Sequence, residues 1–260
     1  MKVDLLCSGS KGNSCLVRTQ RSSIVIDCGS TKKYLMASLQ SVSQDIQTLD
    51  ALLVTHSHKD HISQLKHFEH LPIYSYCDLD VQDHRCIKPL DRFIIGDMQI
   101  TVIGLSHDAP NTVGYVIEDG CQKLVYITDT GYLPNHEKAY LENADHYIFE
   151  SNHDMEMLMH TARPMFVKQR ILSDSGHLSN EDASHNITSL INTKTKNYRV
   201  GAFITGGQCS RAGFGCIKRY LLKEGFTILK YTNSGGSAVW NRFHRRLKYL
   251  SLGMDTFFRL

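Results

Sequence analysis

The sequence predicts a β-rich α/β fold with helices outside its sheets. Short apolar runs bounded by Gly, Asn, Asp and Ser recur along the chain, as is typical of buried strands. Helical periodicity is confined to three longer segments. The length of 260 residues and the hydrophobic content of 42% suffice to bury one sizeable core, so a single domain over residues 1–260 is expected.

The predicted elements follow the alternation between apolar runs and turn formers. Helices are expected at Lys32 to Ser41, at His61 to His70, and at Asn180 to Thr193, where Ser179 supplies a capping side chain. No internal repeat or low-complexity linker interrupts the pattern. Strands are predicted at Val3 to Cys7, Ser14 to Arg18, Ser23 to Asp27, Ala51 to Val54, Pro72 to Tyr76, Arg92 to Ile95, Gln99 to Ile103, Val113 to Glu118, Lys123 to Thr128, His146 to Phe149 and Arg199 to Ile204.

Three imidazoles and a carboxylate follow the apolar run that ends at Val54. Side chains alternate along an extended segment, so His56 and His58 point the same way, while a turn lets Asp60 and His61 face a second point. Neutral imidazole nitrogen and carboxylate oxygen suit zinc, manganese or iron. A histidine-rich surface turn is the alternative, but this spacing favours a metal site.

The segment from His56 to His61 resembles the H-x-H-x-D-H signature of the metallo-β-lactamase superfamily. The resemblance implies a four-layer αββα sandwich with two divalent ions, zinc or manganese or iron, at one edge. It also implies that Asp27 supports the metal-binding loop, that His107 binds the first metal, and that Asp129 bridges both ions.

Three further motifs are similar to the YycJ/WalJ-like branch of that superfamily: Ser8 to Ser14, Glu150 to Asp154, and Gly176 to Asn180. The branch is similar to tRNase Z and to cyclic phosphodiesterases. The resemblance implies that His177 protonates the leaving oxygen and that Glu150 orients it.

Some of the residues in these motifs have a simpler alternative role. His177 could contact the start of the predicted helix at Asn180, and His153 is either near the site or a helix residue. Asp60 would hold one metal and accept a hydrogen bond from the nucleophile. The turn at Ser8, Ser10, Gly12 and Asn13 either binds phosphate through its backbone amides or is only a turn.

The expected activity is a two-metal phosphodiesterase acting on nucleic acid, and the branch implies a DNA exonuclease. An alternative is hydrolysis of a cyclic nucleotide or cyclic phosphate. A third reading, of another class, is a non-catalytic metal-binding or regulatory protein with a degenerate site. DNA or a nucleotide is therefore the expected substrate, and a homodimer is compatible with the resemblance.

The late part of the chain departs from the family pattern. The superfamily places another metal-ligating His in an Ala-His-Leu-Ser segment on a late strand, whereas Val200 to Ser210 contains no His. Back-translating residues 201–216 with permitted codons and shifting one base gives Ala-His-Leu-Ser-Gln-Ala-Asp-Asn, so we interpret this segment as an out-of-frame reading. The alternative is a divergent active protein in which water or another side chain replaces that ligand.

Charge and targeting signals add little. The net charge of +3, from 29 basic and 26 acidic residues, does not by itself indicate nucleic acid. Lys168, Arg170 and the basic tail at 240–260 either steer phosphates or are solvated. The sequence shows no charged leader with an apolar core and no membrane-spanning run, so a cytoplasmic protein without a membrane partner is expected.

Overall fold

The computed structural model describes residues 1–191 and the backbone of 199–203. These residues form two six-stranded sheets with helices outside them. The helices are α1 Lys32–Ser41, α2 Lys59–Ile62, α3 Lys138–Leu141, α4 Met155–Met159, α5 Met165–Leu172 and α6 Asn180–Leu190. The strands are β1 Lys2–Cys7, β2 Ser14–Arg18, β3 Ser23–Ile26, β4 Ala51–Val54, β5 Ile73–Ser75, β6 His84–Cys86, β7 Arg92–Ile95, β8 Met98–Gly104, β9 Val113–Glu118, β10 Lys123–Ile127, β11 His146–Glu150 and β12 Arg199–Phe203.

Each sheet combines antiparallel and parallel strands in chain order. The first runs β1-β2-β3-β4-β5-β6 and the second β12-β11-β10-β9-β8-β7. Strands β3 and β4 are parallel, with Val25 opposite Leu52, and β10 and β11 are parallel, with Val125 opposite Tyr147. Parallel pairing brings the carboxyl ends of neighbouring strands to the same edge of a sheet.

Three apolar layers hold the sheets and helices together. Ile24 and Leu124 belong to the layer between the two sheets, whereas Val25 packs toward α1 and Val125 packs toward α6. Successive residues of these strands are thus buried on opposite faces, which explains why the strands read as continuous apolar runs. The predicted four-layer αββα sandwich is confirmed.

The predicted helix from His61 to His70 is wrong. The chain forms only the short α2 and a 3-10 turn at Leu65–His67. The reason is that Cys28 takes part in the backbone bonding: its N–H donates to the carbonyl of His61 at 2.7 Å, and its carbonyl accepts from the N–H of Gln64 at 3.0 Å. These groups cannot also continue an α-helix.

Several expectations concern residues outside the described part of the chain. Backbone pairing between β11 and β12 includes Gly201, but residues 204–216 and the tail at 240–260 are not described. The out-of-frame interpretation and the single domain over 1–260 therefore stay predictions. Within residues 1–191, no helix has the length and apolar character needed to cross a membrane.

Candidate metal centre

The site lies where the carboxyl ends of β3, β4, β10 and β11 meet. Asp27 follows β3 and Asp129 follows β10, and both adopt left-handed backbone conformations, with φ of 59° and 51°. Asp tolerates this conformation better than most residues with a β-carbon, which suits it to a sharp turn at the end of a strand. Both carboxylates are buried.

Asp27 fixes the loop that follows β4. Its Oδ1 accepts a hydrogen bond from the backbone N–H of Thr55 at 2.8 Å, and its Oδ2 lies 2.8 Å from Nδ1 of His61. The hydroxyl of Thr55 also donates to Oδ2 at 2.9 Å. A carboxylate that holds Nδ1 of an imidazole leaves Nε2 for a metal. Asp27 thus stands where the superfamily resemblance expects a supporting carboxylate.

Six side chains form three overlapping groups that could hold a metal ion, with ligand atoms within 4.8 Å of one another. Five of the six are ligands that the resemblance implies, whereas the sixth, His177, was expected as the proton donor, and the expected ligand Asp60 belongs to none of the groups. His61 and His56 are fully buried. Imidazole and carboxylate are a donor set that suits zinc and manganese. The groups are His56, His58 and His107; His56, His61 and Asp129; and His107, Asp129 and His177.

The electrostatics of these residues fit a bound cation. Nε2 of His56 is buried and has no hydrogen-bond partner among the described residues. Burial, with the positive charge of His61, lowers the pKa of His56 well below its ordinary value, so this imidazole is neutral and its lone pair is available. A buried polar atom without a partner is costly, and a metal would remove that cost.

His61 lies among negative charges. Its Nε2 is 2.9 Å from Oδ2 of Asp129. Burial alone would lower the pKa of His61, but Asp27 and Asp129 raise it well above its ordinary value. Burial likewise opposes ionisation of Asp129, but the neighbouring histidines hold the pKa of that carboxyl below its usual range. The two carboxylates favour a cation at this point.

His107 and His58 are connected through Asp108. Nδ1 of His107 donates to the carbonyl of Gly176 at 3.1 Å, which fixes the ring and leaves Nε2 toward the site. Oδ1 of Asp108 lies 3.3 Å from Nε2 of His107 and 3.5 Å from Nε2 of His58. The other carboxylate oxygen of Asp108 accepts a hydrogen bond from Nε of Arg170.

His177 and Glu150 form a second pair at the same edge. Nδ1 of His177 lies 2.6 Å from Oε1 of Glu150 and 3.4 Å from Oδ1 of Asp129. Burial opposes protonation of the imidazole, but these carboxylates raise the pKa of His177 to about 9. His177 therefore carries a proton at neutral pH in the metal-free protein.

Asp60 and the glycine-rich turn lie on the wall of the cleft, whose volume is about 270 Å³. Nδ2 of Asn13 lies 3.2 Å from Oδ2 of Asp60 and 2.9 Å from Nε2 of His61. Ser10 and Asn13 line the cleft, whereas Ser8 and Gly12 do not, and Gly12 packs against Ser30. The roles of these residues and of Asp60 stay predictions.

Sequence reasoning left some parts of the site unassigned. Thr55 is in contact with Asp27, His56 and His61, and its place directly before the first His is the signal that could have found it. Arg163 lines the cleft without any motif to mark it. Lys168 does not face the cleft, because its buried ammonium donates to the carbonyl of Met159 at 2.6 Å.

Comparison with known proteins gives a consistent picture. Residues 22–195 match the family model of the beta-lactamase superfamily domain. The chain is 32% identical over 243 residues to exodeoxyribonuclease YycJ of Bacillus anthracis, an alignment that covers 88% of this chain and 92% of that protein. It is also 32% identical over 216 residues to exodeoxyribonuclease WalJ of Streptococcus pneumoniae serotype 2, covering 77% and 80% of the two chains.

The fold is likewise similar to solved structures. The metallo-β-lactamase fold protein YhfI from Bacillus subtilis superposes with a TM-score of 0.66 at 20% identity, over 89% of this chain and 96% of that one. At this level of identity the likeness concerns the fold, and function depends on the site.

Proposed function

The chain belongs to the metallo-β-lactamase superfamily and to its YycJ/WalJ-like branch, and from that premise we propose that it is a two-metal-dependent DNA exonuclease. The coarser assignment, a metal-dependent hydrolase of the phosphodiesterase and nuclease type, follows from the family and from its exonuclease relatives. The proposal adds DNA as the substrate, zinc or manganese as the ions, and the cytoplasm as the location.

The observation that carries the proposal is the contact between Glu150 and His177 beside the metal-binding groups. Hydrolysis of a phosphodiester in DNA releases an alkoxide, which needs a proton as it leaves. Nδ1 of His177 donates to Oε1 of Glu150, so Nε2 is the nitrogen that would donate a proton to the leaving oxygen. A thioester, by contrast, releases a thiolate, which can leave without a proton.

Two divalent ions would be held by His56, His58, His61, His107 and Asp129, with Asp60 as the further proposed ligand. Divalent ions at such a site generate a nucleophile from water and neutralise phosphoryl oxygens. His177 belongs to the third of the metal-binding groups as well, but we assign it to proton transfer, the role that the resemblance of its motif implies.

The shape of the cleft favours a polymer end over a small cyclic nucleotide. The side chain of Arg170 on its rim is 67% exposed, and Arg163, which lines the same cleft, is exposed as well. A pocket for a cyclic nucleotide would bury most of its ligand. An open cleft with arginines on its rim instead admits the backbone of a longer chain.

The experiment compares two substrates that differ in their leaving groups. The parent protein with manganese or zinc, and the variants His58→Ala and His177→Ala, are assayed on bis-p-nitrophenyl phosphate and on end-labelled DNA. p-Nitrophenolate is stable without a proton, whereas the DNA alkoxide is not. We expect His58→Ala to lose both activities, and His177→Ala to lose about 10²–10⁴-fold on DNA but much less on the nitrophenyl ester.

Other results would redirect the proposal. Turnover of cyclic nucleotides with none of DNA ends would establish the alternative phosphodiesterase. Bound metal without turnover of any phosphodiester would establish a non-catalytic metal-binding protein. Equal losses of His177→Ala on both substrates would remove His177 from the proton-transfer role.

A further inference from the structure

We propose that Arg163, Phe166 and Arg170 form a track, the α5 track, that holds the single-stranded end of a DNA substrate as it enters the cleft. The inference rests on the proposed nuclease function and adds the form of the substrate and the residues that grip it. Two of the three residues line the cleft, and the third lies on the same face of α5 as Arg170.

The orientation of α5 is fixed by Lys168. This lysine is buried, and its Nζ donates to the carbonyl of Met159 at the end of α4. An α-helix turns by about 100° per residue, so residues two before and two after Lys168 point away from the buried side and lie about 40° apart. Those residues are Phe166 and Arg170, which are therefore neighbours on the outer face.

Phe166 is unusually exposed for an aromatic side chain. Its exposed fraction is 71%, and the adjacent Met165 is 54% exposed. A flat apolar ring presented to solvent beside a cationic side chain is the arrangement on which nucleic-acid bases stack. Bases of single-stranded DNA offer free faces for such stacking, whereas those of a duplex are already stacked.

The arginines supply charge next to that ring and connect it to the metal centre. Arg170 bonds through Nε to Asp108, and Oδ1 of Asp108 lies 3.5 Å from Nε2 of His58. Arg163 lines the same cleft and lies three residues before Phe166, just outside the start of α5 at Met165. A strand held by the two guanidinium groups would thus pass from the ring of Phe166 directly to the ligands.

The positive charge of the α5 track favours DNA over a protein as its occupant. A second copy of this chain or a protein partner would meet an exposed aromatic ring and two exposed arginines, which suit an anionic partner with planar groups better than an apolar surface. Single-stranded DNA combines both features in every nucleotide.

The test measures both binding and cleavage with variants of the full chain. Phe166→Ala removes the ring, Phe166→Trp keeps a stacking surface, and Arg163→Gln removes one charge. Controls are Ile94→Ala, which removes an apolar side chain that is 72% exposed on β7, and Arg21→Gln, which removes an exposed charge in the β2–β3 turn. The probes are a single-stranded oligonucleotide, the same strand with abasic sites near its end, and bis-p-nitrophenyl phosphate.

We expect Phe166→Ala to lower the ratio of kcat/KM on the oligonucleotide to kcat/KM on the nitrophenyl ester by about 5- to 100-fold, and Phe166→Trp to restore it. Abasic sites should weaken binding by the parent but not weaken binding by Phe166→Ala further. Arg163→Gln should reduce the slope of log affinity against log salt by about 0.7. The two controls should match the parent.

The possible outcomes distinguish failure of the α5 track from failure of the proposed nuclease function. A parent that cleaves no phosphodiester would overturn the proposed function. A parent that cleaves DNA, with Phe166→Ala and Arg163→Gln indistinguishable from it, would overturn the track alone. The track would also be overturned if Phe166→Ala lost equal affinity for intact and abasic strands, or if the parent preferred duplex ends and the variants did not change that preference. A change of oligomeric state in Phe166→Ala would overturn it as well and would identify a second copy of the chain as the occupant.

Discussion

Glu150 contacts His177 through one carboxylate oxygen and the surrounding backbone through the other. Oε1 lies 2.6 Å from Nδ1 of His177, while Oε2 accepts hydrogen bonds from the N–H groups of Thr130 at 2.8 Å and Leu178 at 3.3 Å. The carboxylate therefore links the loop after β10 to the segment that carries His177. The effect of its negative charge can therefore be tested separately from the effect of its size and shape.

Replacing Glu150 by Gln keeps the size of the side chain but removes its charge. In the metal-free protein, the pKa of the His177 imidazole should fall from about 9 toward its ordinary value near 6.5. NMR titration of the imidazole checks this shift. An unchanged titration in Glu150→Gln would assign the raised pKa to Asp129 instead.

The same pair predicts a pH dependence of stability. Because the folded-state pKa of His177 is raised, its contribution to the free energy of unfolding is fully present below about pH 6.5 and is lost as pH rises through about 9. Urea unfolding of the metal-free parent and of His177→Gln, measured from pH 6 to 10, should converge at the alkaline end. A constant difference across that range would contradict the assignment.

His153 is expected to destabilise the fold as the solution becomes acidic, whereas His177 affects stability at alkaline pH. Both ring nitrogens are buried without hydrogen-bond partners in the described residues, and burial together with the charge of His177 lowers the pKa of His153 to about 4. The unfolded chain therefore binds the proton more readily between about pH 4 and 6.5, so this group destabilises the fold as pH falls through that window.

The measurement for His153 is the urea midpoint of the parent and of His153→Phe from pH 4 to 7. The variant should lose less stability on acidification than the parent. His136→Gln, which changes a histidine with a 76% exposed side chain, is the matched control and should follow the parent. Parallel curves for all three proteins would refute the prediction.

Asp27→Asn tests the support of the metal ligand. The amide cannot hold His61 Nδ1 as the carboxylate does, and loss of such a partner typically lowers metal affinity about 10–100-fold. Competition with a chromophoric chelator measures the affinity independently of activity. Asp80→Asn removes an exposed carboxylate and should leave the affinity unchanged.

Gly29→Ala tests the packing of the metal-binding loop. A methyl group at Gly29 would lie 1.7 Å from the carbonyl oxygen of Asp60, so the backbone beside Asp60 and His61 must move. We expect a loss of about 1–3 kcal/mol in the free energy of unfolding and a marked loss of metal affinity. Gly104→Ala, where the nearest atom is a side-chain carbon at 3.3 Å, should be far milder.

The sequence predicts correctly those parts of the molecule that depend on residues close together in the chain. Strands such as β3 and β10 were recognisable because both faces are buried, and the His and Asp ligands because they follow strand ends at fixed spacing. The contact between Arg170 and Asp108 spans 62 residues and depends on how α5 packs, so no local pattern reveals it. The bonds to Cys28 shortened the helix after His61 for the same reason.

The ligand groups draw on both sheets of the sandwich. His56 and His61 follow β4 of the first sheet, whereas His107 and Asp129 follow β8 and β10 of the second. An ion bound by both sets would act as a cross-link between the two halves, so part of its binding free energy is cohesion of the whole fold. Removal of the metal by a chelator should therefore lower the melting temperature of the entire sandwich. The metal would then have a structural role in addition to its catalytic one.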